Sequence, residues 1–527
     1  MRRLLDLAAR HYRLSALALG ALAACGFEPL GLWPLTLLAL MGLIALSEQA
    51  GSAKRVAVIG WLFGVGHFTL GNNWIATSFT YQAEMPVWLG GVAVVLLSLY
   101  LAVYPLLAVL AAWWLRRRFG LPLVPVLAAT WIAAEGLRAW VFTGFAWNPL
   151  AMAALGPFER PGLAALAAPW MGTYALSGLV LLLAGSWLAA WRMGLHGWRG
   201  RGLFVLPAVL MILPFPRPGQ PPEPKGLAYT LVQPDVRQED LNDPAQWEEQ
   251  FQRTARLSLP RADQQGPRVV FWPESGVPDY LRDGYPERYY VQMTFAADPA
   301  LARARIGRAA GREGLVLTGA VDLEVQDGRA AAARNVITAI DGRGAIRGGY
   351  AKAHLVPYGE YLALRWLLEP LGATRLVPGA LDFWPGPGPR TLDLGLWGKA
   401  GMQICYEIVF SGEVVDPEQR PDYLFNPSND GWFGAWGPPQ HLAQARMRAI
   451  EEGLPVLRAT TTGISAVIRP DGVVEAHVSR HVAARLDGTI PRALPQTLFA
   501  RWGNWLALVW GLVFLGLSFV AKRLRNG

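Results

Sequence analysis

The sequence predicts a helical membrane bundle joined to an α/β domain that is inserted before the last membrane helix. Three observations support this fold class. The 527 residues are 53% hydrophobic and only 17% charged, whereas soluble domains average roughly 25% charged residues. Eight apolar runs flank a single polar segment at 216–498. Within that segment, short β-rich runs alternate with helical stretches, which is typical of layered α/β domains.

The apolar runs divide the chain into three parts. A membrane-spanning helix needs about 20 mostly apolar residues, with a range of roughly 17 to 25. We predict a membrane domain at 1–215, an α/β domain at 216–498, and a C-terminal membrane helix with its tail at 499–527. A proline-rich stretch at 215–226 should form a stiff exit from the membrane. The eight candidate spans are residues 14–27, 34–47, 56–75, 87–115, 122–141, 171–191, 202–214 and 502–520, of which the first, second and seventh are short.

The basic residues predict how the chain is oriented in the membrane. Arginine and lysine cluster before the first run (2–13), after the fourth (116–118) and after the last (522–525), while the intervening "GFEPLGLWP" and "NNWIATSFTYQAEMP" contain none. Cytoplasmic loops carry the excess of these residues. We therefore expect eight crossings, both termini in the cytoplasm, and the segment 216–498 on the far side. The net charge of +9 reflects the basic residues of these cytoplasmic loops. The sequence has no stripe of basic and aromatic residues, so we expect no nucleic-acid partner.

The chain has only two cysteines, 380 positions apart. "LALGALAAC" behind a basic start resembles a lipoprotein signal peptide ending at Cys25. Further apolar runs follow at once, and the charge alternation uses this run as a crossing, so we favour a retained helix in which Cys25 is only a small residue. Two distant cysteines, one inside an apolar run, make a poor disulfide framework. Cys405 is therefore predicted to be a free thiol.

The polar segment is predicted to fold as buried strands covered by helices. Its strands are continuously apolar instead of alternating, which is the pattern of strands buried on both faces. Helices are expected at 244–259, 299–311 and 441–452. The predicted strands are residues 228–233, 268–273, 314–321, 335–341, 398–405, 422–428, 456–460 and 464–470.

Three reactive side chains follow predicted strands: Glu274 after "FWP", Lys352 after "GGYA" and Cys405 after "GMQI". Because ligands bind beyond the carboxyl ends of strands in α/β sheets, we expect these residues to meet in one site. A thiol nucleophile needs a base or a cationic neighbour. Glu274 could take and return its proton, and Lys352 could stabilise the negative oxygen of a tetrahedral intermediate. No metal-ligand spacing and no phosphate-binding glycine loop occur, so we expect neither metal nor cofactor.

Each of these residues also has a structural explanation when taken singly. Cys405 could be a small core residue. Glu274 and Lys352 could form a structural ion pair. Glu360 could be a carboxylate at a helix N-terminus, and Glu407 could pair with a nearby arginine. No single residue decides between catalysis and packing.

The order of four motifs is more specific. "WPES", "KAHLVPYGEY", "CYEIVF" and "NPSNDGWFG" resemble the Glu, Lys and Cys segments of the nitrilase superfamily. "GFEPLGLWP", "TGFAWNPL" and "QHLAQARMRAIEEGLPVLRATTTGISAVI" resemble the apolipoprotein N-acyltransferase family, and the match covers nearly the whole chain. The resemblance implies a nitrilase-like α-β-β-α sandwich between membrane helices, on the periplasmic side of a bacterial inner membrane.

The family resemblance also implies a reaction. A membrane phospholipid, expected from the resemblance to be phosphatidylethanolamine, donates an acyl chain through a Cys thioester to the α-amine of the diacylglyceryl-cysteine of an apolipoprotein. The resemblance assigns the general base to Glu274, the catalytic lysine to Lys352 and the nucleophile to Cys405. Supporting or substrate-binding roles are implied for Glu360, Tyr406, Glu407, Trp247 and Trp432. Two departures stand out: the aromatic segment 277–299 is longer than expected over the site, and Thr461 stands where we expect an asparagine.

Two other functional classes remain open at this point. A membrane-tethered nitrilase-like amidohydrolase or lipid hydrolase would pass the acyl group to water. A transporter or lipid-binding scaffold with a degenerate domain would form no thioester. The intact set of Glu, Lys and Cys favours an enzyme, and we expect it to act as a monomer.

Overall fold

The computed structural model describes residues 7–81, 86–214, 226–262, 264, 266–368, 370 and 381–526. The predicted proline-rich exit lies outside these residues except for its last one. The helices of the N-terminal region coincide with the predicted apolar runs, and the fourth run is divided at Ala102. They are α1 (Tyr12–Ala24), α2 (Trp33–Glu48), α3 (Ala53–Gly71), α4 (Trp88–Leu101), α5 (Val103–Phe119), α6 (Leu123–Trp140), α7 (Leu163–Met193) and α8 (Trp198–Ile212).

Small residues bring these helices close together. A Cβ atom on Gly20 of α1 would lie 1.9 Å from the carbonyl oxygen of Phe63 in α3, and one on Gly66 of α3 would lie 2.1 Å from that of Leu17. Apolar helices pack through such small residues because lipid removes the hydrophobic driving force between them. The helical region thus has a tightly packed core of its own.

Three of the described helical segments are long and apolar enough to cross a membrane: Trp88–Phe119, Leu163–Met193 and Trp505–Leu524. Helices α1 and α2 are apolar but shorter. Helix α7 is bent where Pro169 lies inside it and Gly172 adopts a φ of 74°, since proline removes a hydrogen bond of the helix. The count of eight crossings stays a prediction.

The polar segment contains two six-stranded sheets. The first has the order β12-β1-β2-β3-β4-β5 and the second β11-β10-β9-β8-β7-β6. Each sheet has a parallel centre, β1-β2-β3 in one and β7-β8-β9 in the other, with antiparallel strands outside it. The strands are β1 (Ala228–Gln233), β2 (Arg268–Phe271), β3 (Gly314–Gln326), β4 (Arg329–Asp341), β5 (Ile346–Ala351), β6 (Thr391–Asp393), β7 (Lys399–Met402), β8 (Tyr423–Ser428), β9 (Val456–Thr460), β10 (Ser465–Ile468), β11 (Val474–Val478) and β12 (Ala484–Thr489).

The sheets stack face to face and are covered by helices on the outside. Leu231 and Phe271 of the first sheet share one core with Phe425 and Leu457 of the second. The outer face of the first sheet is covered by α9 (Trp247–Ser258) and α11 (Pro299–Ala310), and that of the second by α12 (Gly437–Glu452). This α-β-β-α arrangement confirms the predicted fold class. The helices that follow α8 are α9 (Trp247–Ser258), α10 (Glu287–Met293), α11 (Pro299–Ala310), α12 (Gly437–Glu452), α13 (Leu498–Trp502) and α14 (Trp505–Asn526), besides the single turn Arg365–Leu368.

Helix α12 is buried along nearly its whole length. Leu442 and Ala445 belong to the core against the second sheet. Met447 and Ile450 belong to the core of the helical region. Helix α12 therefore lies between the sandwich and the helical region and contacts both. This position explains why α12 is shielded from solvent although it has many polar side chains.

The predicted strands all occur, but some boundaries differ. The list of predicted strands lacked the four edge strands β5, β6, β11 and β12, although a strand ending before Lys352 was expected. The short helices α10 and α13 were not predicted either. The predicted strand at 398–405 was too long, since β7 ends at Met402 and Cys405 begins a 3₁₀ helix, Cys405–Val409. The physical reason is local: Cys405 has a φ of 50°, which no β-strand accommodates.

Candidate active site

Two glutamates surround the lysine that follows β5. The Nζ of Lys352 lies 2.9 Å from Oε2 and 3.0 Å from Oε1 of Glu360, and 3.6 Å from Oε1 of Glu274. Lys352 is 1% exposed, and both glutamates are buried. Burial alone would lower the pKa of Lys352, but Glu360 and Glu274 outweigh that effect and raise the pKa above its ordinary value. The lysine is therefore held as an ammonium ion.

Asn335 joins the two glutamates, and sequence reasoning missed it. Its Nδ2 donates to Oε1 of Glu274 at 2.7 Å and to Oε1 of Glu360 at 3.0 Å. Its carbonyl accepts the backbone N–H of Lys352. Asn335 is the first residue of the predicted strand "NVITAID", and an amide side chain at the start of a largely apolar strand was the available signal.

Cys405 lies buried at the start of the 3₁₀ helix, with its backbone in the left-handed region. Residues other than glycine rarely adopt this conformation, and its strain is characteristic of functional sites. Burial raises the pKa of the Cys405 thiol well above its ordinary value; the charge of Glu274 adds to this effect and that of Lys352 opposes it. The thiol therefore needs a base to react, and Glu274, which is buried 3.6 Å from Lys352 Nζ, is the candidate for that role.

Glu407 holds the loop of Lys352 and the loop of Cys405 together. Its Oε1 accepts hydrogen bonds from the Tyr350 hydroxyl (2.7 Å) and from the backbone of Ala353 and His354 (2.7 and 3.1 Å). Its Oε2 accepts from the backbone N–H of Ile404 at 2.7 Å. The structural alternative, in which Glu407 pairs with an arginine, is not what the structure shows. Burial raises the pKa of Glu407 to about 7 in spite of these donors.

The loops of Lys352 and Cys405 also contact the segment that follows α6. The hydroxyl of Tyr406 donates to the carbonyl of Gly144 at 3.3 Å. The Nε2 of His354 lies 2.8 Å from the carbonyl of Thr143. Arg138 of α6 fixes this segment by donating to two of its carbonyls, those of Phe145 and Trp147. The candidate site is thus built against the helical region and in contact with it.

Residues that follow strands β8 and β9 of the second sheet form hydrogen bonds that hold Glu274 in place. The backbone N–H of Asn429 donates to Oε2 of Glu274 at 2.8 Å. The hydroxyl of Thr461 donates to Oδ1 of Asn429 at 2.8 Å. Thr461, which stands where an asparagine was expected, therefore supports the residue that holds the base.

The two tryptophans lie apart from this centre. Trp432 is half-buried; its ring packs edge-on against Tyr81 at 5.8 Å, and its carbonyl accepts from Ser78. Trp247 begins α9, and its Nε1 donates to the carbonyl of Leu241 at 3.3 Å. Among the described residues, neither tryptophan has a hydrogen bond or ring contact with Glu274, Lys352 or Cys405.

The aromatic segment 277–299 packs on the β3–β4 hairpin. The hydroxyl of Tyr285 accepts from the backbone of Leu323, and that of Tyr289 from the backbone of Ala330. The segment expected to be longer over the site is thus attached to the β3–β4 hairpin of the first sheet. Within the part of the chain that the structure describes, no group of three or more His, Cys, Asp or Glu side chains is arranged to hold a metal ion.

Comparisons with known proteins agree with this architecture. Residues 19–186 match the family model described as the apolipoprotein N-acyltransferase N-terminal domain, and residues 230–494 match that of carbon-nitrogen hydrolases. The chain is 32% identical to the apolipoprotein N-acyltransferase of Rhodopseudomonas palustris over 97% of this chain and 95% of the relative. It is 31% identical to that of Azotobacter vinelandii over 97% and 95%.

The comparison with solved structures gives matches of low TM-score to members of the nitrilase superfamily. An amidase from Nesterenkonia matches with 16% identity and a TM-score of 0.36, over 52% of this chain and 92% of the amidase. A Saccharomyces cerevisiae member of the superfamily matches with 16% identity and a TM-score of 0.35, over 50% and 90%.

Proposed function

Since this chain belongs to the apolipoprotein N-acyltransferase family, we propose that it transfers an acyl chain from a membrane phospholipid to the α-amine of an apolipoprotein's N-terminal diacylglyceryl-cysteine. Cys405 is the nucleophile, Glu274 the general base and Lys352 the stabiliser of negative charge. One observation carries this assignment: Glu274 and Lys352, 3.6 Å apart, are buried in the same site as the Cys405 thiol, whose backbone is in the left-handed region.

The first half-reaction forms a thioester. Glu274 removes the Cys405 proton while the sulfur attacks the ester carbonyl of the phospholipid, a step that the raised pKa of the thiol makes dependent on the base. Lys352 and the backbone N–H of Tyr406 stabilise the resulting oxyanion. The intermediate then expels the lysophospholipid alkoxide, which takes the proton from Glu274.

The second half-reaction forms an amide. The neutral α-amine of the apolipoprotein attacks the thioester carbonyl, and Glu274 accepts the amine proton. Collapse of the tetrahedral intermediate releases the Cys405 thiolate, which recovers that proton. The supporting residues act through this centre: Glu360 keeps Lys352 charged, and Glu407 and Tyr406 position the two loops. We place Trp432 and Trp247 farther out, where acyl chains could contact their half-buried rings.

The membrane region fits this reaction because both substrates carry acyl chains. Exposing such chains to water costs about 0.8 kcal/mol per methylene, and a site built against apolar helices avoids that cost. We propose that residues 1–215 and 499–527 anchor the chain in the bacterial inner membrane with both termini in the cytoplasm, and that residues 216–498 act on the periplasmic side. Phosphatidylethanolamine is the proposed donor, and the enzyme is proposed to act as a monomer without a cofactor.

Trapping of the acyl-enzyme tests the proposal. Purified protein is incubated with phosphatidylethanolamine of defined acyl chains, with and without a diacylglyceryl peptide, and analysed by mass spectrometry. We expect the mass of one acyl chain on Cys405, its disappearance when peptide is added, and acylated peptide as product. Cys405→Ser should form no thioester. Steady release of free fatty acid without transfer would show a hydrolase instead.

A further inference from the structure

A buried histidine on α12 contacts the backbone of the candidate nucleophile. The Nε2 of His441 lies 3.1 Å from the carbonyl oxygen of Cys405. His441 is 0% exposed and comes 36 residues after Cys405 in the chain. Because a carbonyl oxygen can only accept a hydrogen bond, Nε2 must carry the proton and donate it. The tautomer of this histidine is thereby fixed.

The other ring nitrogen faces a charged pair. The Nδ1 of His441 lies 3.0 Å from Nη2 of Arg458 and 3.0 Å from Oδ1 of Asp430. Arg458 donates to both oxygens of Asp430 at 2.8 Å. Burial and the positive charge of Arg458 lower the pKa of His441, and both members of the Arg458–Asp430 pair contact Nδ1 of the ring. The pair therefore holds the ring with Nε2–H directed at Cys405.

The carbonyl of Cys405 belongs to the same peptide plane as the N–H of Tyr406. In a planar trans peptide these two bonds point in opposite directions. Anchoring the carbonyl therefore sets the direction of the N–H. The hydrogen bonds among the described residues leave the Tyr406 N–H without an acceptor, as expected of a donor reserved for a substrate oxygen. Asn426 provides a second, longer contact to the same carbonyl, at 3.4 Å.

We propose that His441, held by Asp430 and Arg458, is a positioning residue that aims the Tyr406 N–H at the oxyanion of the tetrahedral intermediates. It also keeps Cys405 in its left-handed backbone conformation, which is strained for a residue other than glycine. This inference rests on the proposed thioester chemistry. His441 touches no reacting atom, so it acts only through the peptide that follows the nucleophile.

Two reactions of the Cys405 thiol can distinguish a positioning role of His441 from a general effect of His441 on the stability of the fold. Acylation by phospholipid passes through an oxyanion, whereas alkylation by iodoacetamide displaces iodide and forms none. His441→Asn keeps a polar side chain near the position of Nδ1 but does not reach the Cys405 carbonyl. His441→Gln places an amide N–H near the position of Nε2. We expect His441→Asn to slow acylation at least about tenfold, up to the roughly 100- to 1000-fold that loss of an oxyanion donor costs, and to change alkylation by less than about threefold.

His441→Gln should recover part of the lost acylation. His67→Asn, a matched substitution of a buried histidine in the helical region, should leave the ratio of the two rates at the wild-type value. Wild-type acylation by His441→Asn, an equal loss of both rates, or no difference between the Asn and Gln variants would each overturn the inference. If the wild-type protein itself forms no acyl-enzyme, the proposed function fails before the role of His441 is tested.

Discussion

Lys352 pairs more closely with Glu360 than with Glu274: its Nζ lies 2.9 Å from Oε2 of Glu360. The proposed general base, Glu274, lies farther from the same nitrogen, at 3.6 Å. This asymmetry gives the two carboxylates different roles. Glu360 compensates the charge of the lysine, and Glu274 is left available for proton transfer with Cys405.

Replacing Glu360 should change the pH dependence of acylation. In Glu360→Gln only Glu274 opposes the effect of burial, so the pKa of Lys352 falls from its raised value. A group with a raised pKa stays protonated as pH rises, so Lys352 of the wild type should keep its charge, and the enzyme its acylation activity, up to about pH 10. As pH rises, the variant should lose acylation activity earlier than the wild type does. Rates of acyl-enzyme formation between about pH 6 and 10 measure the difference, with Glu360→Asp as the charge-conserving control; superimposable alkaline limbs would contradict the assignment.

Replacing Glu274 should have opposite effects on two reactions of Cys405. The charge of this carboxylate is one of the causes of the raised pKa of the thiol. Glu274→Gln should lower that pKa and increase iodoacetamide alkylation near neutral pH by about tenfold per pKa unit. Acylation should be lost, because no base remains to return the proton to the leaving group. A variant that lost both reactions would indicate that Glu274 is structural.

Glu407 should contribute to stability through its four donors. Tyr350→Phe removes one hydrogen bond, and we expect it to cost about 1 kcal/mol. Glu407→Ala leaves several buried donors unpaired, each at roughly 1–3 kcal/mol, and should lower the melting temperature much further. Thermal unfolding in detergent, measured together with acylation, tests this order. Equal melting temperatures for the two variants would contradict the role of Glu407 as the link between the loops.

The contact between sandwich and helical region can be tested at Glu451 of α12. Its Oε1 accepts from the backbone and hydroxyl of Thr173 at 2.7 and 2.6 Å, and its Oε2 lies 2.8 Å from Nε of Arg448. Glu451→Gln leaves Arg448 buried without its charged partner, which typically costs about 3–5 kcal/mol. We expect a lower melting temperature of the full chain and acylation that declines with it. Glu418→Gln, at a solvent-exposed site on the sandwich, is the control and should melt like the wild type.

Local patterns predicted the elements of this protein well. The apolar runs marked α1 to α8 and α14 because burial in lipid demands continuous hydrophobicity. The apolar strands and the residues that follow them placed Glu274 and Lys352 correctly in the fold. Cys405 was assigned to a strand end, and its 3₁₀ turn was missed, because a positive φ at a residue other than glycine leaves no mark in a single sequence.

The sequence by itself determined the apolar runs, the layered α/β character of the polar segment and the presence of three reactive side chains. Only the tertiary structure decided which groups surround them. Asn335, Asn429 and His441 come from β4, from the loop after β8 and from α12, and each contacts the site across a long sequence separation. The physical reason is that periodicity encodes whether a residue is buried, whereas the partner of a buried polar group is set by how distant elements pack.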